Sequence, residues 1–358
     1  MNISPYKNSV WVYRIFDITD EIDLRGVERI LSPEKPTSRM RLSRVRPKSI
    51  HIGNPPVTVE LGSRDIHLNG APYGVIASAR IFDLGVVSLV LKIGLPEDIS
   101  YQELRNFSVF LYNTDDLEPV FDNYLEIIKK SLKISAPERI EEFMEDFVLY
   151  FFREWDSSWN PVPILLAEKE SVSEQTEQET MKNTFSYGPG DLTVVTWDSA
   201  LVYDSEGSTD IPDLIEFAIT QLLELRYYDS ILSTELDRMY DSIEMADKEG
   251  WWTRLRQYRR IMKNLMELVI DITETTERIQ KQLKVTEDVF YARVYGAALS
   301  IFRTREWTDS IQHKVKLIQG NYAMLSDEVI NHRSMLLEVA IVALFIFEVI
   351  LTLGEKLF

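Results

Sequence analysis

Apolar and polar positions change period along the chain, and each change predicts an element. "SVWVYRIFDI" alternates, with Val10, Val12, Arg14 and Phe16 on one side and Trp11, Tyr13 and Ile15 on the other. Both sides are largely apolar, which predicts a strand covered on both faces. "VTVEL" alternates Val57, Val59 and Leu61, and Asn69-Gly70 is a hairpin-turn signal before the next strand. "VIASARIFDLGVVSLVLKI" is rich in β-branched residues, and its Gly85 predicts a bulge or a close backbone approach. At Ser100 the period lengthens. Ser100 with Glu103 three positions on predicts a capping box at the start of a helix. Residues 115–132 and 136–150 are amphipathic and read as further helices. "EKESVSEQTEQETMKNT", residues 168–184, is polar throughout and reads as an exposed or disordered loop. "DLTVVTWDSALVYD" then reads as a strand pair, followed by a turn, an Asp210 helix cap and Pro212 in the first helical turn.

From 211 onward the spacing is helical. One run places Leu225, Tyr228, Leu232, Leu236, Met239 and Ile243 three and four apart. A second places Leu255, Tyr258, Met262, Leu265, Val269, Ile272, Thr276, Ile279 and Leu283 the same way. A third runs Ile311, Val315, Ile318, Tyr322, Leu325, Val329, His332 and Leu336. Such repeats give narrow apolar seams of the coiled-coil kind. Breaks near "KEGWW" and "RTREW" divide them into long antiparallel helices. Spacing leaves open whether the seams close within one chain or between chains.

The third run passes into "SMLLEVAIVALFIFEVILTLGEKLF", residues 334–358. From Met335 to Leu353 a helix would be about 28 Å long, against about 30 Å for a bilayer core. Burying its apolar residues in lipid would gain about 4 to 6 kcal/mol, and each acid would cost about 2.5 to 3.5 kcal/mol at mid-membrane and less near an edge. Glu338 and Glu348 lie about 80° apart around a helix. With Ser334 and Thr352 they form a polar stripe suited to contacts with other helices. The segment therefore reads as a single-pass C-terminal membrane anchor, with the bulk of the chain on the cytoplasmic side. The rival reading is a terminal helix seated in a groove.

Composition narrows the function classes. The 39 basic and 57 acidic residues leave a net charge of −18, which repels nucleic acid and anionic surfaces at long range. With no cysteine there is no thiolate chemistry. One local exception is the basic run "KPTSRMRLSRVRPK", with Lys35, Arg39, Arg41, Arg44, Arg46 and Lys48. It reads either as a solvated segment paired with acids elsewhere or as a docking patch for phosphate groups or an acidic partner. No phosphate-binding glycine loop, zinc-protease motif or nucleophile elbow occurs. His51, His67, His313 and His332 have no ligand spacing, and His332 sits on the third seam, where a polar residue sets register. Asp83 and Asp198 follow strand-like runs and form a minor metal-site candidate. "FSYGPGD" is a turn whose glycines could cradle an anion. No cofactor is expected.

The end of the chain resembles the required-for-meiotic-nuclear-division family. The residues that carry the likeness are "YARVYGAALSIF", "KLIQGNYAMLSDEVINHRSMLLE" and "VAIVALFIFEVI", with Leu337-Glu338 and Glu348 at the family's acid positions. Upstream, Phe82, Gly85, Val86 and Val87 in "RIFDLGVVSLVL" are similar to a family strand. The family's Lys-Leu-Ala-x-Ser-His-Ala segment is replaced by "DIPDLIEFAITQLLELRYYDSIL". The resemblance implies a membrane-anchored, non-enzymatic protein with no catalytic residues to carry over. The combined expectation is α+β: a mixed domain over 1–205, a helical bundle over 206–333 and an anchor helix over 334–355. It would act as a self-associating scaffold that recruits a protein partner through its N-terminal half. The alternatives are an oligomeric channel subunit lined by Glu338 and Glu348, and a metal-dependent enzyme using Asp83 and Asp198.

Overall fold

The computed structural model describes residues 6–19, 21–33, 35–40, 42, 50–133, 143–248, 251–281, 283–285 and 289–357. The fold is α+β, a mixed sheet with helices followed by a long helical region. It divides into two units, Met1–Tyr227 with Glu277–Glu306, and Tyr228–Thr276 with Trp307–Phe358.

The first unit runs β1 Asn8–Asp17, α1 Leu24–Leu31, β2 Thr37–Arg39, β3 Ile50–Ile52, β4 Val57–Leu68, β5 Ala71–Ile81 and β6 Val86–Gly94. It continues with α2 Tyr101–Asn113, α3 Glu118–Ser131, β7 Met144–Phe152, α4 Val162–Leu165 and α5 Glu174–Met181. β8 Thr184–Phe185, β9 Asp191–Val195 and β10 Ser199–Asp204 complete a nine-stranded sheet ordered β2-β4-β5-β6-β1-β7-β10-β9-β8. The pairs are antiparallel except β7 with β10.

Alternation sorts the side chains to two faces. Val10, Ala77, Ala79, Leu89, Leu91 and Tyr150 pack with Leu104 and Phe107 of α2 and Phe121 of α3. Trp11, Tyr13, Arg80 and Lys92 point the other way. Because β1 lies mid-sheet and is covered on both sides, its two faces are both apolar, as its sequence predicts. The Asn69-Gly70 turn forms, with φ of 49° and 78°, the double left-handed geometry of a tight hairpin. Gly85, at φ 95°, turns the chain between β5 and β6. The register shift of β4 falls instead between Glu60 and Gly62. The Ser100–Glu103 capping box is present in both directions.

Two expectations fail locally. The segment 136–150 is helical in pattern, yet its described part enters strand β7. "FVLYFF" is aromatic and β-branched, and open edges of β1 and β10 flank it, so tertiary pairing decides. Within 168–184 the chain forms α5, capped by Ser173 and burying no residue.

The helical elements beyond the sheet are α6 Asp210–Asp247, α7 Trp251–Lys281, α8 Val289–Ile301 and α9 Thr304–Leu357, and β11 Leu283–Val285 pairs with β3. In the second unit the three heptad seams turn inward within one chain. Leu232, Met239, Leu265, Ile272, Ile311, Ile318 and Leu325 are all buried. One end of that core joins Ala246, Leu255, Tyr258, Leu325 and Val329. The seam of α7 ends before Leu283, which belongs to strand β11; the side chains of Ile279 and Leu283 lie outside the described residues.

The membrane anchor is corrected. Among the described residues no helix is long and apolar enough to cross a membrane. The expected transmembrane helix, tail anchor and single-pass localisation are therefore not supported. What the structure shows is an exposed apolar helix end: Leu337, Ile341, Leu344, Phe345, Phe347 and Ile350 are each at least half exposed.

Candidate functional site

Two polar features stand out in the first unit. The first is a buried charge cluster between the sheet and α6. Strand register builds half of it: Arg80 lies opposite Thr58 of β4 and Ser88 of β6, and Lys92 lies opposite Trp11 of β1. The other half comes from a stripe on α6. Asp210, Asp213, Glu216, Thr220 and Glu224 recur at three- and four-residue spacing, and all are buried. Arg80 Nη2 donates to Asp213 Oδ1 at 2.9 Å and Arg80 Nη1 pairs with Glu216. Phe217 meets Phe82 edge-on at 5.3 Å beside them. Lys92 Nζ sits 3.8 Å from the Trp11 ring centre, a cation–π contact.

A cavity of about 40 Å³ lies among Trp11, Tyr13, Arg80, Lys92, Asp213 and Glu216, which is room for a few waters at most. Among the described residues, Asp213 Oδ2, Glu216 Oε1 and Ser88 Oγ are buried without a hydrogen-bond partner of normal geometry. Burial pushes the Lys92 ammonium down to about 8. Burial also pushes the Asp213 and Glu216 carboxyls above their ordinary values, and the shared Arg80 guanidinium only partly offsets it. Arg80 is pushed up because its two carboxylate neighbours outweigh its burial. Around the small cavity two cationic side chains, Arg80 and Lys92, meet two acidic ones, Asp213 and Glu216, and fasten α6 to the sheet.

The second feature is an open cavity of about 410 Å³ at the end of the β9–β10 hairpin. Tyr187, Tyr203, Phe290 and Tyr291 supply aromatic lining, and Asp191, Asp204 and Glu206 supply acids. Asp191 and Asp204 are direct cross-strand partners. The 185–191 turn wraps around its own carboxylate: Tyr187 N–H donates to Asp191 Oδ2 at 2.8 Å and Gly188 N–H to Oδ1 at 2.6 Å. Gly190 packs so close to Ser205 that a Cβ there would lie 2.6 Å from its Oγ. Asp204 Oδ1 accepts from the N–H groups of Glu206 and Ser208 at 2.9 and 3.2 Å. The anion cradle read from "FSYGPGD" is thus filled from within.

The other sequence candidates scatter. Asp83 follows β5 and Asp198 precedes β10, four strand positions apart, so about 19 Å separates the two strands and no paired-Asp site forms. Asp83 accepts instead from Asn54 Nδ2 at 2.8 Å. Among the described residues no group of three or more His, Asp or Glu could hold a metal ion. Of the basic run, Arg39 is bound to both oxygens of Glu28 at 2.8 and 2.9 Å, which holds the Glu28 carboxyl below its ordinary value. Lys35 is described without a salt bridge; Arg41, Arg44, Arg46 and Lys48 lie outside the described residues. His332 lies on the third seam in contact with Arg254 at 3.0 Å and Glu328 at 3.1 Å. Ser334, Glu338 and Glu348 are exposed, and the side chain of Thr352 lies outside the described residues.

Sequence reasoning missed Arg80, Lys92, Asp213 and Glu216. The signal was there: lone charges inside apolar strand runs, and acids three apart in "DIPDLIEF".

Comparison with known proteins returns a family described as "Uncharacterized protein MJ0711, N-terminal domain", matched over residues 7–209. That stretch runs from β1 through β10 and stops one residue before α6. An uncharacterized protein of Methanocaldococcus jannaschii, MJ0711, is 26% identical over 253 residues, 68% of this chain and 77% of its own length. No solved structure matches. Neither match links the chain to the meiotic-nuclear-division family, so that likeness rests on the residues quoted for it.

Proposed function

The chain belongs to the family of the MJ0711 N-terminal domain, and from that premise we propose that it is a non-enzymatic, self-associating scaffold whose α9 end joins copies while the sheet unit receives a partner. The observation that carries this reading is the exposure of every side chain from Leu337 to Ile350. Their apolar surface is on the order of 1,000 Å², above the roughly 300–600 Å² of the largest patch on a typical monomer. A second copy is the occupant argued for. The third seam continues past Leu336 through Val339, Ala343, Ile346 and Ile350 at unbroken heptad spacing. The arc from Glu338 to Glu348 is narrow, about 80°, so the rest of the circumference is apolar. Several parallel copies would cover so wide an arc and leave the acids at the rim; a two-stranded pairing would leave much of it wet. Branched Val339, Ile346 and Ile350 also favour more than two strands.

Light scattering on the full chain tests this. A mass above that of a dimer is expected, falling to one chain in Val339→Asp/Ile346→Asp. Both positions are exposed, so the double substitution spares the unit's own core. A wild-type mass of one chain in buffer, with association only on lipid vesicles, overturns the reading.

A further inference from the structure

The second unit carries two stripes of opposite charge. Its helices α6, α7 and α9 share one core, where Ala246 meets Leu255, Tyr258, Leu325 and Val329. Outside that core α7 presents Arg256, Arg259, Arg260 and Lys263, all exposed. At 100° per residue they fall within an arc of about 100°. Among the described residues Arg256, Arg259 and Arg260 have no acidic partner, and Lys263 pairs with Glu267 of its own helix at 3.6 Å. In a chain with 57 acids against 39 bases, three adjacent arginines without an acid are a surplus that the chain's own fold does not use.

Helix α6 carries the counterpart. Asp237, Asp241 and Glu244 are exposed and lie within an arc of about 60°. Among the described residues Asp237 and Asp241 have no basic partner, and Glu244 pairs with Lys248 of the same helix at 2.7 Å. The stripes match in length: 237 to 244 and 256 to 263 are each about 10 Å of helix. They also lie at one level, since Ile243 and Ala246 beside the acids pack in the same small core as Tyr258 and Ile261 beside the arginines. No ion pair among the described residues joins the two stripes within the chain.

We infer that a second copy of the chain docks on these stripes, the acids of α6 in one copy meeting the arginines of α7 in the next. Opposite charges at equal height on two different helices are what rotation about an axis parallel to the helices requires. Each copy then presents acids to one neighbour and arginines to the other, a head-to-tail contact that closes into a ring. The inference rests on the reading that copies join in parallel through the end of α9, and it adds direction and register, which complementary charge supplies better than raw affinity.

Light scattering of the full chain against concentration, at near-physiological salt, tests this. Reversing the arginines, Arg256→Glu/Arg259→Glu/Arg260→Glu, should raise the concentration of half-assembly about 10- to 100-fold, the combined effect of several exposed pairs. Reversing the acids, Asp237→Lys/Asp241→Lys/Glu244→Lys, should weaken assembly by a similar factor even though it makes the chain less acidic. An equimolar mixture of the two variants should recover assembly, because each then meets a complementary neighbour. All six side chains are exposed and none has a described partner beyond its own helix, so folding is not at stake. Assembly of the acid-reversed variant as tight as wild type, or tighter, overturns the contact and leaves only general repulsion. A mixture that stays apart overturns it too. An arginine reversal without effect, in a chain that Val339→Asp/Ile346→Asp still dissociates, overturns the stripes and leaves the α9 reading standing. A wild-type chain that stays single overturns both.

Discussion

Arg80 carries more than its own pair. Its side chain is 13% exposed and those of Asp213 and Glu216 are 4% and 3% exposed, so removing the guanidinium strands two carboxyls in a dry interface. Arg80→Met should cost about 3–5 kcal/mol in denaturant unfolding, the range for breaking a buried ion pair. Adding Asp213→Leu and Glu216→Met should return part of that loss, because no acid is then left unpaired; a triple variant as unstable as the single one would contradict this account. Lys92 makes a separate prediction. Its folded-state value, about 8, lies below the ordinary 10.5, so between those pH values the unfolded chain binds the extra proton. Stability must therefore rise as pH climbs through that window, and fall back as pH drops through 8. Unfolding midpoints measured from pH 7.5 to 10.5 should show the rise in wild type and lose it in Lys92→Met.

Elements were legible where local signals agree with the tertiary surroundings. The cap of α2 is the clearest case: Ser100 Oγ accepts from Glu103 N–H at 3.3 Å and Glu103 reaches back to Ser100 N–H at 2.9 Å. Ser100→Ala should cost about 1 kcal/mol, read from the midpoint of chemical unfolding, with little change in slope. The hairpin at Asn69-Gly70, the β9–β10 pair and the three heptad seams were equally readable, because turn chemistry and period are written in adjacent residues. β7 was not. Its helical spacing is overruled by strands that lie far away in sequence, and no window of a dozen residues contains them. The buried cluster escaped for the same reason: Arg80 and Asp213 are 133 positions apart, and only the register of β5 and the pitch of α6 make them neighbours. The aromatic cavity joins a turn near 187 to a helix near 290, again beyond local reach.

At the scale of the whole molecule, charge and apolar surface oppose each other. Copies that each carry −18 repel, and the exposed end of α9 must outweigh that repulsion for an assembly to form. The position of β1 has a consequence of another kind. It is early in the sequence yet sits mid-sheet, and its partners in β7 lie 128 to 144 positions later, from Phe16↔Met144 to Asn8↔Phe152. At a synthesis rate of about 5–20 residues per second, β1 waits roughly 6 to 29 s on the ribosome before its second edge is closed. During that interval a greasy ten-residue strand stands half-covered in the nascent chain, and a chaperone able to shield it would govern the yield of folded protein.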